Sequence, residues 1–271
     1  MNKFSLFLLL LSTAFGTAQN AETYFENIRN NEAQLTAFFS QMPKGGDLHH
    51  HYSGSVYAEP LIAYAIKNNF YLNLETLEVQ PQRGTDGIWE SFEMIQKNGA
   101  LPLYQQKIIE KWSIKDFNGI SYPSDKQFFE SFGKFEATIK GTFKQGLLEL
   151  KNRAIKEQVS YIETQLSTIP CDMNTEDLTP YNEELRRLVA KKDEKAVFKA
   201  LDQLFATFNK REAAKYAANF NTNFVAKMHN DLKIDDAQFT MRYQNFVLRF
   251  MEPIDLFKNL VIAFISADNS P

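Results

Sequence analysis

Three predicted strands separated by much longer helical stretches restrict the fold of this chain more than any other feature. The strands are predicted within residues 42–55, at 159–164 and at 239–243. The stretches between them are far too long for hairpins, so crossover connections must join the strands. Strands connected through helices form a parallel sheet. The sequence therefore predicts an α/β protein.

The connecting stretches are predicted mostly from the helical spacing of their apolar residues. Residues 22–39 are predicted to form one amphipathic leader helix, and Pro60 to begin a helix that ends near residue 69. Further helices are expected at 128–158, from 179 to about 232, and from Pro253. Residues 71–127 contain repeated Gly and Pro. That segment is expected to be an extended insertion or an active-site loop.

The segment MPKGGDLHHHYSGS contains three of the four histidines. Successive side chains of a strand point to opposite faces, so His49 and His51 are expected on one face and His50 on the other. Neutral imidazole is a common metal ligand. A catalytic zinc usually takes three protein ligands, so the pattern alone is also compatible with a solvated loop.

This segment resembles the first strand of the adenosine deaminase family, in the metal-dependent amidohydrolase superfamily. The likeness is greatest to the secreted, growth-factor-like branch. Three motifs carry it: the entry Pro43-Lys44-Gly45, the core Leu48-His49-His50-His51 and the small-residue turn Ser53-Gly54-Ser55. The resemblance implies a (β/α)8 TIM-type barrel, of which about three strands are present here as an N-terminal partial barrel with a helical leader and insertions.

The resemblance also implies an activity and a site. The expected reaction is the zinc-dependent hydrolytic deamination of adenosine, or of a related purine nucleoside, to inosine and ammonia. His49 and His51 are the expected ligands of Zn2+, and Phe128 and Phe132 the expected walls of the nucleoside pocket. Ser53 stands where many family members have an aspartate that bonds the ribose hydroxyl, which predicts an altered substrate contact.

The residues that the family takes from later strands have no matching position in the 271 residues. These are a third histidine ligand, a glutamate acid, a histidine that helps activate water, and a final aspartate ligand. No catalytic residue is therefore assigned, and the chain is expected to have little deaminase activity and poor solubility. Another metal-dependent amidohydrolase reaction, or an inactive exported fragment that acts only by binding, are the alternatives.

The N-terminus predicts export. Residues 1–18 have the short apolar core and the small residues of a secretory signal peptide, with cleavage expected after Ala18. The apolar run is too short for a stable membrane anchor. Residues 19–41 are then the helical leader, and residues 42–271 the N-terminal part of the deaminase barrel. The mature chain is expected in the periplasm or outside the cell.

Charge and cysteine content limit the remaining possibilities. The formal net charge is −3 and the basic residues form no dense block, which argues against a nucleic-acid partner. The single cysteine, Cys171, cannot form an intrachain disulfide. Glu163, near the end of the second strand, is expected to accept a hydrogen bond rather than a proton, and His229 to be solvated. The leader either packs on the barrel or joins two subunits in a homodimer.

Overall fold

A computed structural model describes residues 20–120, 122–167, 169, 179–207 and 210–268. The predicted signal peptide and Cys171 lie outside the described residues. No helix within these ranges is long and apolar enough to cross a membrane.

Helices make up most of the described chain, and short strands separate them. The helices are α1 (Ala21–Ile28), α2 (Glu32–Gln41), α3 (Tyr52–Ser55), α4 (Ala58–Lys67), α5 (Phe92–Lys97), α6 (Leu101–Trp112), α7 (Ser124–Ile139), α8 (Phe143–Lys156), α9 (Tyr181–Ala190), α10 (Glu194–Thr207), α11 (Lys210–Phe220), α12 (Lys227–Asp231) and α13 (Pro253–Asp268). The strands are β1 (Gly45–His51), β2 (Tyr71–Asn73), β3 (Val79–Gln80), β4 (Trp89–Ser91), β5 (Val159–Gln165) and β6 (Thr240–Tyr243).

The three strands predicted from the sequence form one parallel sheet in the order β1-β5-β6. Tyr161 of β5 pairs with Gly46 of β1 on one side and with Thr240 of β6 on the other. Parallel pairing places the carboxyl ends of all three strands at the same edge. The predicted α/β class with a parallel sheet is confirmed.

One face of this sheet is packed against helices. Ile162 of β5 and Met241 of β6 pair across the sheet and are buried in the same apolar cluster as Leu147 and Leu150 of α8. The opposite side chains of β5, Tyr161, Glu163 and Gln165, are only half-buried. We call the sheet face that carries these three residues the open face.

The leader differs from its prediction, because two helices replace the single helix expected at 22–39. Asn31 caps α2, and its side-chain oxygen accepts a hydrogen bond from the backbone N–H of Gln34 (3.1 Å). Asparagine favours such caps over helix interiors, so the chain turns there. The turn brings Phe25 of α1 against Phe38 of α2, with ring centroids 5.9 Å apart.

The insertion at 71–127 is also more regular than predicted. Its short strands form an antiparallel sheet in the order β3-β2-β4, and α5 and α6 follow. Asn73 fixes the turn after β2, because its side-chain oxygen accepts from the backbone N–H groups of Glu75 and Thr76 (both 2.9 Å). Trp89 and Trp112 are each 5% exposed. Both tryptophans are packing residues.

The single helix predicted over 128–158 is divided into α7 and α8 by a 3-10 turn at Lys140–Thr142. Gly141 in this turn lies against the phenol ring of Tyr64, where a Cβ atom would overlap the hydroxyl group. The close approach of α4 therefore depends on the missing side chain. Helical spacing alone did not reveal this break.

Lys44 connects the leader to the sheet. Its ammonium group donates to the carbonyl oxygens of Phe39 near the end of α2 and of Glu157 after α8, both at 2.8 Å. The backbone N–H of Lys44 also donates to Gln158 (2.8 Å). These bonds fix the direction in which the chain enters β1.

Candidate metal centre and binding cavity

The side chains of His49 and His51 approach each other closely at the carboxyl end of β1. Their Nε2 atoms are 3.2 Å apart, and the two rings are nearly perpendicular with centroids 5.0 Å apart. Both side chains are exposed. In a parallel α/β protein this end of a strand is where active sites form.

A β-bulge precedes this pair of histidines. Asp47 pairs with Ile162 and His50 with Thr164, so Leu48 and His49 stand opposite the single residue Glu163. An extra residue in one strand reverses the faces of all the side chains after it. The bulge therefore turns His49 and His51 toward the open face, and His50 toward the helices. An opposite shift between Gly45 and Gly46, where β5 has the extra residue, precedes the bulge. His50 would therefore face the open side if the bulge were lost while this first shift stayed.

His50 lies beside Thr164, in contrast to its two neighbours. Its Nδ1 atom is 2.9 Å from the hydroxyl of Thr164, which is fully buried. Burial lowers the pKa of His50, although Asp47 acts in the opposite direction. The ring is therefore neutral at neutral pH, and one of its nitrogens is engaged within the protein.

The spacing of the pair fits a zinc ion. Zn–N bonds of about 2.0–2.1 Å at a tetrahedral angle separate two ligand nitrogens by about 3.3 Å. The observed Nε2–Nε2 distance is 3.2 Å. A hydrogen bond between the rings has the same length, so the distance suits both arrangements. Within the described ranges, no group of three or more His, Cys, Asp or Glu residues could hold a metal ion.

The three predicted substrate residues line one cavity of about 560 Å³. Ligand pockets typically have volumes of about 300–1,000 Å³. Ser53 comes from the turn after β1, while Phe128 and Phe132 lie one turn apart on α7 with ring centroids 5.1 Å apart. Neither His49 nor His51 is among the residues that line it. The structure thus brings the three predicted substrate residues together around one cavity. It brings His49 and His51 together at a separate place, the end of β1.

Several cavity residues had no distinctive signal in the sequence. Buried Trp112 lines the cavity beside Phe135, and its Nε1–H donates to the carbonyl of Leu77 (2.8 Å). Glu59 and Lys115, an exposed ion pair at 3.3 Å, also line it. These residues come from separate elements, so no spacing in the sequence connects them.

Gln127 is a further buried residue of this cavity. Its side-chain amide nitrogen lies 2.9, 3.1 and 3.0 Å from the carbonyl oxygens of Glu110, Lys111 and Ser113 at the end of α6. The last carbonyls of a helix have no intrahelical partner, and Gln127 supplies one. It therefore holds α7 against α6 and supports the aromatic wall of the cavity.

Glu163 accepts hydrogen bonds, as predicted. The hydroxyl of Tyr161 donates to one carboxylate oxygen (2.8 Å), and the side-chain amide of Gln244 donates to the other (2.7 Å). The hydrogen bond from Tyr161 lowers the pKa of Glu163 the most, and the hydrogen bond from Gln244 lowers it further. Its carboxylate is therefore ionised and acts as an acceptor on the open face.

The interpretation of His229 as a solvated histidine is wrong. Its side chain is 16% exposed and lies between Tyr243, at 3.2 Å from Nδ1, and Asp235, at 3.4 Å from Nε2. Asp235 also pairs with Arg242 (2.6 Å). Burial, together with the charges of Arg242 and Lys151, lowers the pKa of His229 more than Asp235 raises it. The packing of α12 against β6, which the local sequence does not reveal, explains the difference.

Comparisons of the chain with protein-family models and with curated proteins found no match. The adenosine deaminase resemblance therefore rests on the motifs of the β1 segment and stays a prediction.

We expect His229 to make the fold less stable in acid. The unfolded histidine has a pKa of about 6.5, and burial lowers the folded value. As the pH falls through about 6.5, the unfolded chain binds the proton first, so the free energy of unfolding decreases until the folded pKa is reached. Urea unfolding at pH 7.5 and at pH 5.5 gives the free energy of unfolding at each pH. Its decrease between the two should be smaller for His229→Gln than for the wild type.

Asn230→Ala is the matched control, because Asn230 is the exposed, non-titrating neighbour of His229. It should keep the wild-type loss of stability. The pKa of His50 is also lowered by burial, so His50 makes all three proteins less stable in acid in the same way. An equal loss in His229→Gln and the wild type would contradict the buried, neutral state of His229.

Proposed function

We propose that this chain is the N-terminal part of a (β/α)8-type metal-dependent deaminase that hydrolyses adenosine, or a related purine nucleoside, to inosine and ammonia. The observation that carries the proposal is the 3.2 Å separation of the His49 and His51 Nε2 atoms at the carboxyl end of β1. This distance suits two nitrogens bound to one zinc ion. The three-stranded parallel sheet supports the partial barrel.

His49 and His51 would hold the metal through Nε2, which requires the proton of each neutral ring to be on Nδ1. A bound zinc ion supplies Lewis acidity and lowers the pKa of water toward neutrality. Catalytic zinc usually has three protein ligands. The proposal therefore needs at least one ligand besides the two described histidines.

The aromatic cavity provides the proposed purine site. Phe128 and Phe132 offer ring surfaces on which a base can stack, and the Ser53 hydroxyl can donate to or accept from a ribose hydroxyl. Ser53 follows His51 by two residues, and Tyr52, the first residue of α3, lies between them. A ligand that extends from the cavity toward β1 would bring its reactive end near the histidines.

Another reaction of the amidohydrolase type, using the same two histidines, is the alternative within the enzyme class. A second candidate is an exported, catalytically inactive chain that acts only by binding. One observation favours it: the cavity lined by Ser53, Phe128 and Phe132 needs no metal to accept a ligand. Export after signal cleavage, and a homodimer joined through α1 and α2, are also proposals.

Replacing either exposed histidine of β1 should remove bound zinc. We expect His49→Ala and His51→Ala each to lower zinc affinity at least tenfold, because one of the two described ligands is lost. His50→Ala is the matched control and should retain zinc, since His50 bonds Thr164 instead. Zinc bound after equilibrium dialysis can be measured by elemental analysis, and inosine formation by chromatography with and without a chelator.

This experiment separates the alternatives. Zinc binding through His49 and His51 with little or no inosine from the chain alone is the expected result. Robust inosine formation would show that the described ligands are not the whole site. Zinc content that follows His50 and ignores His49 and His51 would contradict the proposed centre.

Truncating an aromatic wall of the cavity should weaken nucleoside binding. Base–aromatic stacking contributes about 1–3 kcal/mol, so Phe132→Ala should raise the Kd for adenosine about tenfold. Phe129→Ala is the control, because Phe129 is 73% exposed on the same helix and does not line the cavity. Calorimetric titration can measure both constants. Equal effects of the two substitutions would place the nucleoside elsewhere.

A further inference from the structure

We propose that Gln244 is a positioning residue that holds the β1 bulge and thereby directs His49 and His51 to the open face. This inference deepens the proposed function and rests on it. Gln244 follows β6 directly, whereas the histidines belong to β1, and β5 lies between the two strands. The proposed contact therefore spans the sheet at its carboxyl edge.

The side chain of Gln244 reaches the bulge itself. Its Nε2 atom donates to the carbonyl oxygen of Leu48 (2.9 Å) and to a carboxylate oxygen of Glu163 (2.7 Å). Leu48 is one of the two β1 residues that stand opposite Glu163. Gln244 thus donates hydrogen bonds to both strands at the bulge, to Leu48 of β1 and to Glu163 of β5. Its own backbone N–H donates to Thr164 (2.9 Å), which fixes where the side chain begins.

The two hydrogen-bond partners of the Gln244 amide fix its orientation. Both of its partners, a carbonyl and an ionised carboxylate, are acceptors only. The amide must therefore present its NH2 group to them, and its two N–H bonds match the two acceptors. Tyr161 holds the other carboxylate oxygen of Glu163 (2.8 Å). Tyr161, Glu163, Gln244 and Leu48 form one continuous chain of hydrogen bonds.

A second contact stabilises the bulge from within β1. The backbone N–H of His49 donates to the Asp47 side chain (3.1 Å). Asp47 closes the turn locally, whereas Gln244 connects the Leu48 carbonyl to Glu163 of β5 and to the end of β6. If the bulge slips by one residue, His50 instead of His49 and His51 faces the open side.

Two substitutions of Gln244 test this role. Gln244→Leu keeps the approximate size and removes both donors. Gln244→Glu places a second carboxylate beside Glu163 and cannot donate to Leu48 when ionised. Asn245→Leu is the matched control, because Asn245 is the next residue and its amide donates to Ala263 (3.1 Å), away from β1.

The first measurement uses the metal-free chain. Hydrogen exchange of the backbone amides at 48–51 should become about tenfold faster in Gln244→Leu and Gln244→Glu, because the bulge loses its tie to Glu163 and opens more often. The exchange rates of Asn245→Leu should match the wild type. Unchanged exchange at 48–51 in both Gln244 variants would overturn the inference, whatever their metal binding.

The second measurement is zinc affinity, by competition with a metal indicator. A residue that orients a metal ligand typically changes affinity about 10- to 100-fold when replaced. We expect this loss in both Gln244 variants and no loss in Asn245→Leu. Equal zinc affinity of Gln244→Leu and the wild type would also overturn the inference.

A different result would contradict the proposed function. Wild-type zinc binding that is insensitive to His49→Ala and His51→Ala would overturn the metal centre. The exchange experiment would still decide whether Gln244 holds the bulge. Faster exchange together with weaker, histidine-dependent zinc binding is the result that supports both proposals.

Discussion

The parallel pairing of β1 with β5 is the constraint on which the rest of this structure depends. Ile162 and Thr164 of β5 are buried against helices, so the faces of β5 are fixed by packing. The register with β1 then decides which histidines share the buried face and which reach the open one. The extra residue in β1 offsets the opposite shift between Gly45 and Gly46, and it thereby places His50 on the buried face.

The same strand also organises the cavity that follows it. Tyr52, the first residue after β1, is fully buried, and its hydroxyl donates to the carbonyl of Thr142 (3.1 Å). Gly146 on α8 leaves the space that this ring occupies. With Tyr52 fixed, the next residue Ser53 faces the aromatic side chains of α7. The histidines and the cavity are thus set by consecutive residues of one segment.

Much of this arrangement follows from sequence patterns. The β5 strand alternates clearly, and long crossovers predict parallel strands, as observed. Two-residue periodicity correctly places His50 on the face opposite to His49 and His51. It does not reveal the register irregularities that decide which of the two faces is the buried one. The break at Gly141 depends on a ring from α4. The contact of Gln244 with Leu48 joins residues 196 positions apart, so no local pattern predicts it.

The most direct test of the account is a crystal structure of the chain grown with zinc, using anomalous scattering at the zinc edge. We expect an anomalous peak about 2.0–2.1 Å from the Nε2 atoms of both His49 and His51, with His50 still beside Thr164. A peak at His50 or His229 alone, or no peak beside the β1 pair at a saturating zinc concentration, would contradict it.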